Sequence, residues 1–158
     1  MSTIIPTTRK NYQSVNTSCK IDLSQLGASG QKEYIVVNGL NTQGVRKVKN
    51  FSISLNGYWK TQGLGTPSPL TYLLVYIPSG ITTPTVPNPS SDPSELYPAN
   101  QYVILQGNFN SKKPKLSSNK LARNLNSGDE IKLIIKNPVS SAQAGEILVN
   151  INYAIAYN

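Results

Sequence analysis

Histidine is absent from the 158-residue chain, Cys19 is its only cysteine and Met1 its only methionine. Without histidine there is no Ser-His-Asp or Cys-His catalytic group and no His-ligated metal. With one thiol there is no cysteine cluster and no disulfide within one copy. Acid is scarce as well: 7 Asp+Glu stand against 15 Lys+Arg, a net charge of +8. Long hydrophobic runs are missing. The longest, Leu70 to Ile77, is far short of the roughly 18 residues a membrane span needs. The opening MSTIIPTTRK lacks the charged-then-apolar layout of a signal peptide. These gaps predict a chain made in the cytosol, with no membrane partner, cofactor, bound metal or catalytic residues.

What is present suits strands and loops. There are nine Tyr, eleven Gly and eleven Pro, and charged residues make up only 14%. Glycine or proline interrupts nearly every window long enough for a helix. Period two is plain instead. Ile147, Val149, Ile151, Tyr153, Ile155 and Tyr157 alternate with smaller or polar residues, as a strand with one buried face requires. Ile131, Leu133 and Ile135 follow the turn signal Asn126-Ser127-Gly128-Asp129. Earlier strands are expected at Cys19–Leu23, Tyr34–Val37, Phe51–Leu55, Leu70–Ile77 and Tyr102–Leu105, with a weaker one around Leu116–Leu125. Eight short antiparallel strands with frequent turns predict an all-β sandwich of the jelly-roll type. The expected division is a short arm over 1–17 and one domain over 18–158.

Leu70 to Ile77 is apolar on both faces, so one side fills the core and the other is available to a partner. Tyr72 and Tyr76 share one of those faces, and tyrosine is enriched at interfaces. The connection from 78 to 100 carries six prolines, which lower the entropy cost of ordering a long loop. Tyr72, Tyr76, Pro87, Pro93 and Tyr97 are therefore the candidate subunit contacts.

The positive charge is clustered. Arg46, Lys47, Lys49 and Lys60 form one group; Lys112, Lys113, Lys115, Lys120 and Arg123 form another. Together they hold nine of the fifteen basic residues and enclose no acid. A jelly roll places the third and sixth strands side by side, which would merge the two groups into one polyanion-facing patch. Lys47 and Lys49 share parity with Phe51, so a bulge or strand end must intervene. No groove-reading helix or RNA-recognition aromatic pair accompanies the patch, so contacts to the phosphate backbone are expected. Arg9 and Lys10, near the N-terminus, complete the candidate set.

Two other chemistries compete with this reading. Asp129-Glu130 is a close carboxylate pair, but adjacent strand residues point oppositely and Asp129 follows a turn glycine. That is turn chemistry, not a glycosidase pair. Tyr58-Trp59 has the residues of a sugar-stacking platform, which leaves a soluble jelly-roll lectin or carbohydrate-binding module as the alternative.

The segments VRKVKNFSISLNGYW (45–59), LTYLLVYIPSG (70–80), ELYPANQYVILQG (95–107) and above all KLARNLNSGDEIKLII (120–135) resemble capsid proteins of small circular, Rep-encoding single-stranded DNA viruses related to circoviruses. The resemblance spans about residues 18–157. It implies one jelly roll of strands B to I in BIDG and CHEF sheets, with residues 45–55 as D, 113–123 as G and 79–99 as the EF loop. It also implies an inward-facing BIDG sheet and a T=1 shell of about 60 copies around single-stranded DNA. On this basis the chain belongs in a virion. It would be synthesised in the host cytoplasm and assembled there or in the nucleus, and its receptor is unknown. Many relatives carry a long Arg-rich arm; here Arg9 and Lys10 are the only basic residues among the roughly 17 expected ahead of the first strand.

Overall fold

A computed structural model describes residues 11–26, 30–39, 44–58, 70–83, 85–86, 102–109, 115–137 and 145–157. Among the described residues nine strands run in chain order: β1 (Gln13–Asp22), β2 (Gln31–Val37), β3 (Arg46–Tyr58), β4 (Leu70–Ile77), β5 (Val103–Phe109), β6 (Lys115–Asn119), β7 (Arg123–Leu125), β8 (Glu130–Lys136) and β9 (Glu146–Tyr157). A 3-10 turn, Leu23–Leu26, follows β1. One sheet has the order β1-β9-β3-β6, with β7 also paired to β3; the other has the order β2-β8-β4-β5. All pairings are antiparallel. This crossing of consecutive strands between two sheets is the jelly-roll arrangement, and it matches the predicted class.

The alternation read from the sequence becomes the core. Phe51, Ile53 and Leu55 of β3 lie opposite Ile147, Val149, Ile151 and Tyr153 of β9, and all are buried against the second sheet. The Phe51 and Tyr153 rings stack at 5.4 Å. The facing layer is Leu70, Tyr72, Leu74 and Tyr76 of β4 with Ile131, Leu133 and Ile135 of β8. Side chains of this size each stabilise the fold by about 1.5–3 kcal/mol when fully buried. Gly107 on β5 lies opposite Tyr72 because nothing larger fits: a Cβ there would stand 2.6 Å from the Tyr72 hydroxyl.

Two expectations are corrected here. β1 begins at Gln13, so residues 13–17 belong to the strand and not to an arm. Its polar Ser, Asn and Thr residues hid it, while its inward positions, such as Val15 and Cys19, are only half-buried at the sheet edge. The sixth strand of the expected eight is divided: β6 and β7 pair with separate stretches of β3, on either side of the exposed residues 120–122. Of the segment after β4, expected as an intersubunit loop over 78–100, most lies outside the described residues. In its described part it folds back over its own sheet. Val86 packs on Leu73, Val75, Ile77 and Ile134, its N–H donates to Gln31 Oε1 at 2.8 Å, and Thr83 accepts from Lys132 Nζ at 2.8 Å.

Candidate nucleic-acid interface

The basic groups on β3 and β6–β7 are brought together in one sheet, as predicted, but their side chains do not share a face. The reason is a bulge. Between Lys49 and Ser52 the register of β3 against β9 slips by a residue, and Asn50 adopts φ 57°. Ahead of the bulge Arg46 and Val48 turn inward while Lys47 and Lys49 turn out; beyond it Phe51, Ile53 and Leu55 turn inward. The parity conflict between Lys49 and Phe51 is thereby resolved as the sequence required.

Arg46 is consequently not a phosphate ligand. It is 2% exposed. Its guanidinium donates to the backbone carbonyls of Asn38, Asn126 (3.5 Å) and Asp129 (3.2 Å). It therefore ties the chain after β2 to the β7–β8 turn at one end of the sandwich. Arg123 also turns inward, opposite Val48, and its guanidinium lies 4.3 Å from the centroid of the Tyr76 ring. Lys115 and Lys120 are exposed along the β6 edge. Lys47 and Lys49 are the two candidates that the sheet presents on its outer face. Arg9, Lys10, Lys112 and Lys113 lie outside the described residues.

The tyrosine face of β4 is likewise core, not interface. Tyr72 is 1% exposed, with its hydroxyl 2.7 Å from Ser117 Oγ. Tyr76 is buried beside Tyr102 and hydrogen-bonds to Asp129. Both faces of β4 are apolar, and the sequence alone could not say which one turns inward. The larger aromatic side chains fill the space between the sheets, and Val86 covers the aliphatic face. Pro87, Pro93, Tyr97 and Trp59 lie outside the described residues.

Asp129 is used as the turn reading expected. Its N–H closes the turn onto the Asn126 carbonyl at 3.0 Å, with Gly128 at φ 89°. The buried carboxylate accepts from the N–H of Ser79 (2.9 Å), the N–H of Asn126 (2.9 Å) and the Tyr76 hydroxyl (2.6 Å). Burial, then this carboxylate, push the Tyr76 phenol up to about 12. Among the described residues no group of His, Cys, Asp and Glu is placed to hold a metal ion. No helix there is long and apolar enough to cross a membrane. A small cavity of about 150 Å³ opens between β1 and β2 at the side of the sandwich, lined by Cys19, Tyr34, Leu133 and Val149. Burial raises the Cys19 thiol and, with Cys19 as a lesser cause, pushes the Tyr34 phenol up to about 12.

The outer face of the β1-β9-β3 sheet was not legible as a site. By register it carries Ser14, Asn16 and Ser18 on β1, Asn150, Asn152 and Ala154 on β9, and Lys47, Lys49, Ser52 and Ser54 on β3. The signal was present in the Ser- and Asn-rich alternate positions, but such residues also fill ordinary solvated faces.

The architecture defines the class: an all-β jelly-roll sandwich of two antiparallel sheets, one of which carries Lys47 and Lys49 on a polar outer face. Among solved structures, the chain is similar to a decameric BFDV capsid protein, with 10% identity and a TM-score of 0.47 over 95% of this chain and 99% of that one. It is also similar to the coat protein of tobacco streak virus, with 13% identity and a TM-score of 0.44 over 98% of this chain and 90% of that one. No protein-family model matches the chain, and no curated protein matches it.

Proposed function

We propose that the chain is a viral capsid subunit, a single jelly roll that associates with copies of itself into a closed shell around single-stranded DNA. One observation carries the reading: the resembling segments coincide with the strands that the capsid jelly roll requires. Residues 45–59, 70–80, 95–107 and 120–135 overlap β3, β4, β5 and β7–β8, which occupy the D, E, F, G and H positions of a BIDG and CHEF pair of sheets. The absence of histidine and the net charge of +8 suit a role in assembly and polyanion binding over catalysis.

In this reading the β1-β9-β3 sheet faces inward and the β2-β8-β4-β5 sheet outward. The resemblance to circovirus-like capsid proteins supports a T=1 shell of about 60 copies, one of the closed symmetries open to identical subunits. The test is to purify the full chain and compare its elution volume with negative-stain images. Uniform closed particles containing nuclease-protected DNA support the proposal. A monomer or trimer that binds glycan overturns it and favours a jelly-roll lectin.

A further inference from the structure

The bulge in β3 opens a trough of about 360 Å³ on the outer face of the sheet, lined chiefly by Ser14, Asn16, Asn50, Asn152 and Ala154. Ala154 forms the floor. Ser14 is its cross-strand partner on β1 and Lys49 its partner on β3. The Lys49 ammonium reaches across to lie 3.9 Å from the centroid of the Tyr12 ring, and Lys47 stands opposite Ala156.

Several features mark this as a binding surface. Ser14, Asn16, Asn50 and Asn152 are exposed, and their side chains hydrogen-bond to no other described residue. Asn50 sits in the left-handed region, a conformation that Asn tolerates better than most residues and one often found where a site is shaped. Charge is sorted along the face. Lys47 and Lys49 flank the trough, while the carboxylates of Asp22 and Glu146 oppose each other at the far end of β1, roughly 25 Å from Ser14 at about 3.3 Å per residue. Lys20 pairs with Glu146 there at 2.9 Å.

We infer that this trough binds single-stranded nucleic acid and contacts its bases as well as its phosphates. Lys47 and Lys49 hold two phosphates, Tyr12 stacks on a base, and the amides of Asn16, Asn50 and Asn152 meet base edges. The ligand must carry regularly spaced negative charge, a flat apolar face and amide-like donors and acceptors together. A single strand has all three, because its unpaired bases are free to stack and to hydrogen-bond. Asparagine amides match the donor and acceptor pair on adenine, so adenine is the favoured base. This inference rests on the capsid reading and adds to it a base-directed component that phosphate contacts alone do not supply.

The test is fluorescence anisotropy with dye-labelled 12-nucleotide dA and dT homopolymers across a salt series, with negative-stain imaging of the same full-length samples. Two phosphate contacts give a log–log salt slope of about −1.4 for a single strand. Tyr12→Leu and Asn50→Gly are each expected to weaken binding by about tenfold without changing that slope. Lys47→Gln and Lys49→Gln are each expected to flatten it by about 0.7. The dA strand is expected to bind more tightly than dT. Binding that is unchanged by Tyr12→Leu and Asn50→Gly overturns the trough, as does displacement of the strand by neutral glycans. Particles that form while those variants bind normally remove the trough and leave the capsid reading standing. Binding that responds as expected in a chain that forms no particles does the reverse.

Discussion

The Tyr76 phenol donates to Asp129 Oδ2 across 2.6 Å and so joins β4 to the turn that leads into β8. The Arg123 guanidinium of β7 lies over the same ring, so two strands and a turn meet at one side chain. Tyr76→Phe keeps the ring and removes one of three donors to a buried carboxylate. The expected cost is about 1–3 kcal/mol in urea denaturation. Tyr76→Asp places a second carboxylate against Asp129, and the subunit is expected not to fold. A well-folded Tyr76→Asp subunit that fails only in assembly would return Tyr76 to an interface role.

Alkaline pH tests the same region. Burial raises the phenols of Tyr34 and Tyr76 to about 12 and raises that of Tyr153 as well. Each group stays protonated in the folded chain at pH values where the unfolded chain ionises. Stability is therefore fully present below about pH 10 and is lost as pH rises toward about 12. The denaturation midpoint should fall steadily across that window, together with the rise in tyrosinate absorbance. Tyr34→Phe should make the fall shallower; a midpoint flat to pH 12 contradicts the burial of these phenols.

Arg46 carries a structural load that its charge conceals. Arg46→Met leaves the carbonyls of Asn38, Asn126 and Asp129 without their donor, and the expected loss is about 3 kcal/mol or more. Arg46→Lys keeps the charge but loses the planar fork, and about half that loss is expected. Folded Arg46→Lys subunits should bind DNA oligonucleotides with unchanged affinity, because the guanidinium is not on the surface. Reduced affinity with an unaltered denaturation midpoint would reverse this assignment.

Val86 fastens the segment after β4 to the outer face of its own sheet. Val86→Ala should cost about 1–2.5 kcal/mol. Val86→Asp should make the peptide bonds between 78 and 86 the first to be cut in limited proteolysis of the unassembled subunit. Equal cutting in the parent chain would show that the segment is not held by this contact.

The two-sheet architecture was readable because single strands such as β8 and β9 carry an unbroken alternation, and an alternating strand must bury one face. Residues Leu70–Ile77 were readable as a strand but not as an oriented one. Both faces are apolar, so the choice between Tyr72 and Leu73 as the core residue depends on what covers the far side, and Val86 arrives from a loop. The basic patch was legible in strand position and misread in direction. Arg46 and Lys47 are neighbours in sequence, yet one tethers loops inside and the other lies on the outer face. The Asn-rich alternate positions could not single out Asn16, Asn50 and Asn152, because these converge only once β1, β9 and the β3 bulge are aligned.

The bulge at Asn50 also sets how the strand tolerates a change in length. From Lys49 to Ser52, β3 advances three positions while β9 advances two. Removing Asn50 would let the two strands count in step, with Val48 and Phe51 still inward and Lys49 still outward. The strand therefore carries one residue more than its pairing needs, and no side chain would change sides if that residue were lost. Related sequences are free to differ in length at this one point without exchanging inside for outside, and such a difference would abolish the trough while sparing the sandwich.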